Sequence, residues 1–445
     1  MNVLLISYYF APVNSIASVR PGKLCKYWMR QGHNVTVLTR AYGNSSASPH
    51  GDGMPDELRQ CRIIRTKIFS IQQLTKKAMG LESRQSVEKT VGKINRSPLH
   101  HLYRWFSNLF NEDNITWYWL SRRKIRELMR NGDYDLIFST CGPVASHKIA
   151  YYAKSLASSS VWIADFRDHY VNMSSSVNRL KLMFLKGFTR KVIQKANAVT
   201  CVSAGLADAL NGNNSDTPFR VLPNGFDRDD YQKLAEEQKE TAGSGGRTFR
   251  MVYTGYLYGK KRDVSPLFRA IGELADEHAI DRDRVRFLYA GQQGEYIRQF
   301  AATYGLEQIV EDVGSVSHEK SLLLQSTADA LILSTWNYRN EQGIVTGKIY
   351  EYMMQDKPII ALVNGDLAGS AVAGLIGECR LGVVWEQAGD MEDYPRLKSY
   401  LLHLYRCAME NRPSAFEPDR EAIARYSYEQ IARSFVDLYG TLHGA

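Results

Sequence analysis

Between Glu341 and Pro358 the chain reads EQGIVTGKIYEYMMQDKP, and the types and spacing of these residues suit phosphate chemistry. Thr346 is placed to cap a helix that runs KIYEYMMQ until Lys357-Pro358 stops it. The backbone N–H groups of Gly347, Lys348 and Ile349 would open that helix unpaired. With the helix dipole and the Lys348 ammonium they form an anion site. Glu351 falls on the same face, one turn further in. A carboxylate there repels phosphate but suits the two hydroxyls of a ribose. The alternative is an ordinary capped helix with a surface glutamate. A second segment, TGYLYGKKRD (Thr254–Asp263), follows an apolar run in the same half of the chain. Gly255 lets a backbone come close, and Lys260, Lys261 and Arg262 offer cations to the same diphosphate. The alternative for three successive basic residues is a solvated turn.

Both segments need a frame that brings them together. Val3–Ser7 reads as a strand, Val19–Gln31 as a helix with Pro21 in its first turn and Gly32 ending it, and Asn34–Thr39 as a second strand. A strand, a helix and a strand in so short a span form a βαβ unit and hence a parallel sheet. Leu136–Ser139, Val161–Asp165 and Val199–Val202 continue it. The pattern restarts at Phe249–Leu257, with a helix from about Pro266 and strands at Phe287–Ala290, Ala330–Ser334 and Pro358–Leu362. The fold class expected is α/β, two doubly wound Rossmann-like domains facing across a cleft. The expected organisation is a first domain over residues 1–230, a linker over 231–248, a second domain over 249–418, and a tail over 419–445 whose helical Arg420–Gly440 crosses back to the first. In an open α/β sheet ligands collect at the carboxyl ends of the strands, where Thr254–Asp263 and Glu341–Pro358 begin. Neither half has G-x-G-x-x-G after its first strand, which argues against a dinucleotide oxidoreductase.

Composition narrows the class. Of 445 residues 44% are hydrophobic and 23% charged, which excludes a disordered or collagen-like chain. The six cysteines stand far apart with no C-x-x-C, as free thiols in a reducing compartment would. No apolar run reaches the roughly 20 residues of a membrane helix, and MNVLLISYYF reads as a strand and not a signal peptide, so a cytoplasmic protein is expected. The net charge is +9, and it is concentrated: Arg62–Arg130 holds 15 Lys/Arg against 5 Asp/Glu, and Arg179–Lys195 has six bases and no acid. Both blocks interleave bases with bulky apolar side chains, the pattern of helices lying on an anionic membrane. The alternative is a core-facing helix with a basic solvated side. Nucleic acid is not expected, since no recognisable binding motif accompanies the charge.

Over nearly its whole length the sequence resembles retaining glycosyltransferases of the family 4 type, with the GT-B fold, in their bacterial surface-polysaccharide (including lipopolysaccharide) subgroup. The resemblance rests on RQGHNVTVLT, STCGPVASHKIA, WIADFRDHY, ANAVTCVS, VLPNGFD, YAGQQGE, VEDVGSVSHEK, STADALILST and KIYEYMMQDKPIIAL in that order. It implies that Glu351 is the second acid of the E-x(7)-E motif and holds the nucleotide ribose. Lys261, with Lys260 as the alternative, would be the diphosphate lysine and Arg262 its partner, and His318 would lie near the base. The loop Asn14–Arg20, with Asn14, Ser18 and Arg20, would face donor and acceptor. Arg167 and Asp168, standing where many members have a histidine before an aspartate, would order a sugar or else form a structural ion pair. Glu351, Arg167 and Asp168 are therefore the catalytic candidates, and Gly255, Lys260, Lys261, Arg262, His318, Thr346, Gly347, Lys348 and Glu351 the donor-binding ones.

Three departures stand out. The first acid of the motif falls at Gly343, with Glu341 two residues away; the usual glycine pair of the first loop is replaced by Asn14-Ser15-Ile16-Ala17; and Arg167 replaces the histidine. The implied reaction retains anomeric configuration without a stable glycosyl-enzyme, stabilising the leaving diphosphate and an oxocarbenium-like centre with preorganised dipoles and cations. Lys261, Lys348 and the helix tip would carry that charge, so no metal and no cofactor are expected. The implied substrates are a UDP- or GDP-sugar and a lipid-linked saccharide, at the inner face of the cytoplasmic membrane. Two other readings are a nucleotide-sugar 2-epimerase and a non-catalytic GT-B scaffold.

Overall fold

The computed structural model describes residues 1–13, 15–42, 54–68, 112–168, 179–212, 216–231, 247–259, 261–339 and 341–444. Asn14, Lys260, residues 232–246 of the expected linker and most of the Arg62–Arg130 block lie outside them. The chain divides into two compact units, residues 1–223 with 431–445 and residues 224–430. The divisions fall short of 230 and beyond 419 for a local reason. Phe226 bridges Ser427, donating to the Tyr426 carbonyl and accepting from the Tyr428 amide, which fastens both chain crossings to the second unit.

The first unit is a seven-stranded parallel sheet of β1 (Asn2–Ile6), β2 (Asn34–Arg40), β3 (Arg62–Thr66), β4 (Leu136–Thr140), β5 (Val161–Phe166), β6 (Ala198–Cys201) and β7 (Phe219–Val221). Their order is β3-β2-β1-β4-β5-β6-β7, so the sheet turns direction between β1 and β4. Helices α1 (Ile16–Arg30), α2 (Glu112–Asn131), α3 (Ala145–Leu156), α4 (Arg179–Lys195) and α5 (Ala204–Asn211) connect the strands.

Helix α1 starts earlier than its apolar pattern suggests because Ser15, extended at φ −141°, accepts the Ala17 N–H and caps it. Pro21 therefore lies in the helix interior, where it cannot donate to the Ala17 carbonyl. Arg167 makes good the loss, its NH1 donating to Ala17 O at 2.8 Å. Gly32 at φ +80° ends the helix, with the Gly32 amide on Met29 O and the His33 amide on Trp28 O, the paired bonds of a left-handed C-terminal cap.

The second unit is a six-stranded parallel sheet in the order β10-β9-β8-β11-β12-β13. Its strands are β8 (Phe249–Thr254), β9 (Val285–Ala290), β10 (Val310–Asp312), β11 (Ala330–Trp336), β12 (Ile359–Asn364) and β13 (Gly382–Glu386). Helices α6 (Ser265–Asp276), α7 (Gly294–Ala302), α8 (His318–Ser326), α9 (Lys348–Met353), α10 (Ala371–Glu378), α11 (Asp390–Met409) and α12 (Arg420–Ala424) complete it. Gly255 at φ +146° stops β8 short of the Leu257 expected from its apolar run. Helix α13 (Tyr428–His443) carries the chain back to the first unit, where Trp28 donates to Ala432 O at 3.1 Å and Phe435 meets Trp28 and Phe138 edge-on.

A buried charge pair ties the first unit internally. Arg20, 1% exposed, donates Nε and NH2 to the two Asp165 oxygens at 3.0 and 2.9 Å, and it also holds Pro223 O and Leu222 O. Thr140 and Thr200 hydroxyls donate to the same carboxylate, each at 2.8 Å. Burial alone would push the Asp165 carboxyl up, but the Arg20 charge and these hydrogen bonds outweigh it and hold it below its usual range. A carboxyl so depressed stabilises the fold above its ordinary pKa, and that contribution is lost as pH falls through the lowered folded value. Asp165→Asn is expected to cost about 3–5 kcal/mol at neutral pH, because it strands the Arg20 charge. Urea melts should show that deficit at pH 7 and a smaller one in acid; an equal deficit at both would contradict the ion-pair account.

Candidate active site

In the second sheet the order reverses between β8 and β11, and the loops that leave their carboxyl ends are Thr254–Asp263 and the segment before α9. Strand pairing there is short: the β8–β11 ladder has only Met251 opposite Ala330 and Val252 opposite Leu331. Beyond it the Tyr352 phenol lies between the strands, accepting the Thr254 N–H at 3.3 Å and donating to Ile332 O at 3.2 Å. Tyr352 is fully buried, and burial pushes its hydroxyl up to about 12, so it stays protonated and able to donate. The phenol satisfies backbone groups that the diverging strands no longer offer each other.

That anchor sets its neighbour Glu351. Oε2 of Glu351 accepts from the Lys348 ammonium at 2.7 Å and from Gln325 Nε2 at 3.2 Å, and Oε1 stands 4.0 Å from His318 Nδ1. The Glu351 side chain keeps 18% exposure, enough to meet a ligand. Gln325, buried in α8, also donates to the Thr254 hydroxyl at 2.9 Å and accepts from Gln355 Nε2 at 3.2 Å. One network therefore joins the end of β8, α8 and α9. Sequence reasoning missed Gln325 and Tyr352; the available signal was a glutamine at the end of the apolar run LLLQ.

The other cations have partners too. Lys261 Nζ meets Glu341 Oε2 at 2.7 Å and lies 5.0 Å over the Trp336 ring. Gly343, where the motif's first acid would fall, has φ +71°, a backbone shape in which glutamate would be strained. Glu341 instead brings its carboxylate to the Thr254–Asp263 loop. Arg262 is buried between Tyr258 and Trp336, at 4.6 and 5.5 Å, with NH1 on Tyr256 O and Nε without a hydrogen-bond partner. It shapes the loop from inside and is not an exposed cation. Asn364 and Ser334 fasten the same loop through Asp263 O.

Several expected features take another form. Helix α9 spans only Lys348–Met353, and Gly347, not Thr346, occupies the cap position. Thr346 O accepts the Ile349 amide and Thr346 Oγ1 the Lys348 amide, so two of the three amides expected to be free are turned inward. The helix ends before Asp356, whose φ of +53° breaks its path. In the first unit Ser18 and Arg20 are turned to protein partners. Ser18 donates to Val13 O and Ser15 O, carbonyls of the loop before the helix, and Arg20 is committed to Asp165 and to the carbonyls of Leu222 and Pro223. Arg167 donates Nε to Cys141 O at 2.9 Å as well as NH1 to Ala17 O, and no ion pair joins it to the exposed Asp168. Among the described residues no three His, Cys, Asp or Glu side chains converge to hold a metal ion.

The two loops leave the sheet at its switch point and carry the Glu351 carboxylate with Lys348 and Lys261, groups that can meet hydroxyls and anions. Residues 83–230 match Glycosyltransferase Family 4. The whole chain also superposes on solved structures of low sequence identity. Sucrose-phosphate synthase from Thermosynechococcus elongatus gives a TM-score of 0.59 at 15% identity, covering 100% of this chain and 99% of that one. An α,α-trehalose-phosphate synthase (UDP-forming) from Burkholderia vietnamiensis gives 0.56 at 10%, with the same coverage. UDP-GlcNAc 2-epimerase from Neisseria meningitidis bound to UDP-GlcNAc gives 0.50 at 11%, covering 98% and 99%. No curated protein matches the chain in sequence. The fold these neighbours share with the chain is the GT-B type, two doubly wound parallel sheets.

Tyr352→Phe leaves the Thr254 N–H and the Ile332 carbonyl without a partner in a dry site. It should lower stability by about 1–3 kcal/mol, read as a reduced urea midpoint with an unchanged slope. A midpoint equal to wild type would mean that the strands re-pair without the phenol.

Proposed function

We propose that the protein transfers a sugar from a nucleotide-sugar to a saccharide acceptor with retention of configuration, in the assembly of a surface polysaccharide on a lipid carrier. The observation that carries the reading is the Glu351 carboxylate, held by Lys348 and Gln325 at the switch point beside Thr254–Gly255. A carboxylate fixed there accepts two hydroxyls of one ribose, while Lys348, three residues earlier, reaches the diphosphate.

Lys261 enters this reaction from a half-exposed ion pair worth about 0–1 kcal/mol, which a diphosphate with several charges displaces at little cost; the Lys348–Glu351 pair is more buried. Lys261 would leave Glu341 for the phosphates, and Glu341 would take the place of the missing first acid near the donor sugar. The developing negative charge on the departing diphosphate is then met by Lys261 and Lys348, and no metal ion is needed for that role. Gly255 accommodates the close approach of phosphate to backbone; its Cβ position is open space.

The membrane-facing part of the proposal rests on α4. Val192 and Ile193 turn into the core, while Met183 and Phe184, 69% and 64% exposed, stand on the side that also carries Lys186, Arg190 and Lys191. Trp119 and Leu120 of α2 are exposed near Arg122 and Arg123 in sequence. Bases beside bare apolar side chains suit an anionic bilayer surface. No helix among the described residues is long and apolar enough to cross a membrane.

The test is a thermal-shift panel of UDP, GDP, dTDP and ADP. UDP comes first, because of the structural neighbours one is a UDP-forming synthase and another an epimerase bound to UDP-GlcNAc. One nucleotide should raise the melting point, and Glu351→Gln should weaken it about 10–100-fold by removing charge-assisted hydrogen bonds. Inorganic pyrophosphate affinity should hold or improve in the same variant, since Lys348 loses its competitor. Equal nucleotide binding by wild type and variant would refute the ribose assignment. Conversion of UDP-GlcNAc to its 2-epimer without an acceptor would replace the transferase reading with the epimerase one.

A further inference from the structure

We propose that Cys25 and Cys61 are a modification site, a thiol pair that a peroxide converts reversibly into a disulfide stapling α1 to the entry of β3. The inference is independent of the transferase reading.

The two thiols lie 36 residues apart in the chain, and the fold brings them into contact, Cys25 Sγ donating to Cys61 Sγ at 3.3 Å. A disulfide holds its sulfurs about 2.05 Å apart, so the pair has only about 1.3 Å to close. The backbone is fixed on both sides of it. Cys25 is fully buried within α1. Cys61 comes one residue before β3, and its amide donates to Leu58 O at 3.1 Å. The turn Asp56–Leu58 is fastened to α1 in its own right. Glu57 Oε2 meets the buried Lys26 ammonium at 3.0 Å, and Leu58 is buried. Metal binding would use the same sulfurs, but among the described residues no three His, Cys, Asp or Glu side chains converge.

The two sulfurs are unequal, and that sets the order of the chemistry. Cys61 keeps 9% exposure and Cys25 none, while Cys141, Cys201, Cys379 and Cys407 keep at most 1%. A small oxidant therefore meets Cys61 first. The hydrogen bond from Cys25 also holds the Cys61 thiol below its usual range, against the opposing effect of burial. The same bond, together with burial, pushes Cys25 up, so Cys25 keeps its proton while Cys61 supplies the nucleophilic thiolate. That thiolate attacks one oxygen of hydrogen peroxide. The O–O bond breaks, the departing hydroxide takes up the proton that Cys61 gave up, and Cys61 becomes a sulfenic acid. The Cys25 sulfur then attacks the Cys61 sulfur. The S–O bond breaks, the Cys25 proton leaves with the hydroxide as a second water, and the S–S bond forms. The two thiols have lost two electrons and the peroxide has gained them. The new bond closes a loop around β2 and ties down β3, the edge strand of the sheet.

The test uses the full chain, reduced, freed of reductant, treated with hydrogen peroxide and quenched with catalase. Thiols counted with dithionitrobenzoate in denaturant should fall from six to four, and dithiothreitol should restore them. Peptide mapping without reduction should join the Cys25 and Cys61 peptides. The oxidised protein should melt several degrees above the reduced one, because the closed loop restricts the unfolded chain. Cys25→Ala should lose that rise and accumulate a sulfenic acid at Cys61 that dimedone traps. Cys61→Ala should leave Cys25 reduced. Six thiols after peroxide, a loss that dithiothreitol does not reverse, a disulfide mapped to another pair, or a bond between two chains on a non-reducing gel overturns the proposal. The map of the wild-type chain decides the matter alone where a variant does not fold.

Discussion

Everything at the candidate site depends on the parting of β8 from β11. Two parallel strands that stayed paired would close the edge at which their loops leave. Here the ladder stops after Leu331 and Val252, and one phenol from α9 takes over the two backbone groups left open. The cost of burying an unpaired amide or carbonyl makes this more than a filler contact. It ties the angle of α9 to the spacing of the strands. Glu351 and Lys348 ride on that short helix, so their position is set by the sheet and not by the loop that precedes them.

The first unit shows a contrasting use of charge. Its interior pair, Arg20 and Asp165, is fully desolvated and fully bonded, and it links α1, β4, β5, β6 and the end of the unit near Pro223. Such a pair contributes little net stability over an apolar substitute, yet removing either half is costly. Pro21 adds a separate demand for a donor. A proline in a helix interior orphans a carbonyl, and Arg167 reaches across to supply the missing hydrogen bond. Two arginines that could have been read as ligand contacts are thus held inside the unit, Arg20 by the Asp165 carboxylate and Arg167 by the carbonyls of Ala17 and Cys141.

The interior strands were legible because each is a nearly unbroken apolar run, as a strand covered on both faces must be. RIIRT of β3, FRV of β7, VED of β10 and GVVWE of β13 were not, since these strands are short or carry charge or glycine. The two loops of the second unit were legible as chemistry because glycine, lysine and glutamate stood at spacings with a physical meaning. What could not be read was how each side chain would be partnered. Arg262 looks like a cation in a basic turn and is a buried strut between two aromatic rings. Gln325 looks like one more residue of α8 and holds the carboxylate. Partner choice is decided by residues distant in sequence, Trp336 for Arg262 and Thr254 for Gln325, and no local pattern records it.

The paired state of the two lysines bears on how such a site can be both stable and ready. An unpaired cation cluster would repel itself and would draw anions without discrimination. With Glu351 on Lys348 and Glu341 on Lys261, each charge has a partner at 2.7 Å that keeps it oriented. The partners are held differently. Glu351 is fixed by Gln325 as well and stays in place when Lys348 turns away, whereas Glu341 hangs on Lys261 alone among its described side-chain contacts. Incoming phosphate would therefore release one carboxylate and leave the other standing. In the proposed reading the standing one is the acid that receives the ribose, and the released one becomes mobile at the moment the donor sugar arrives.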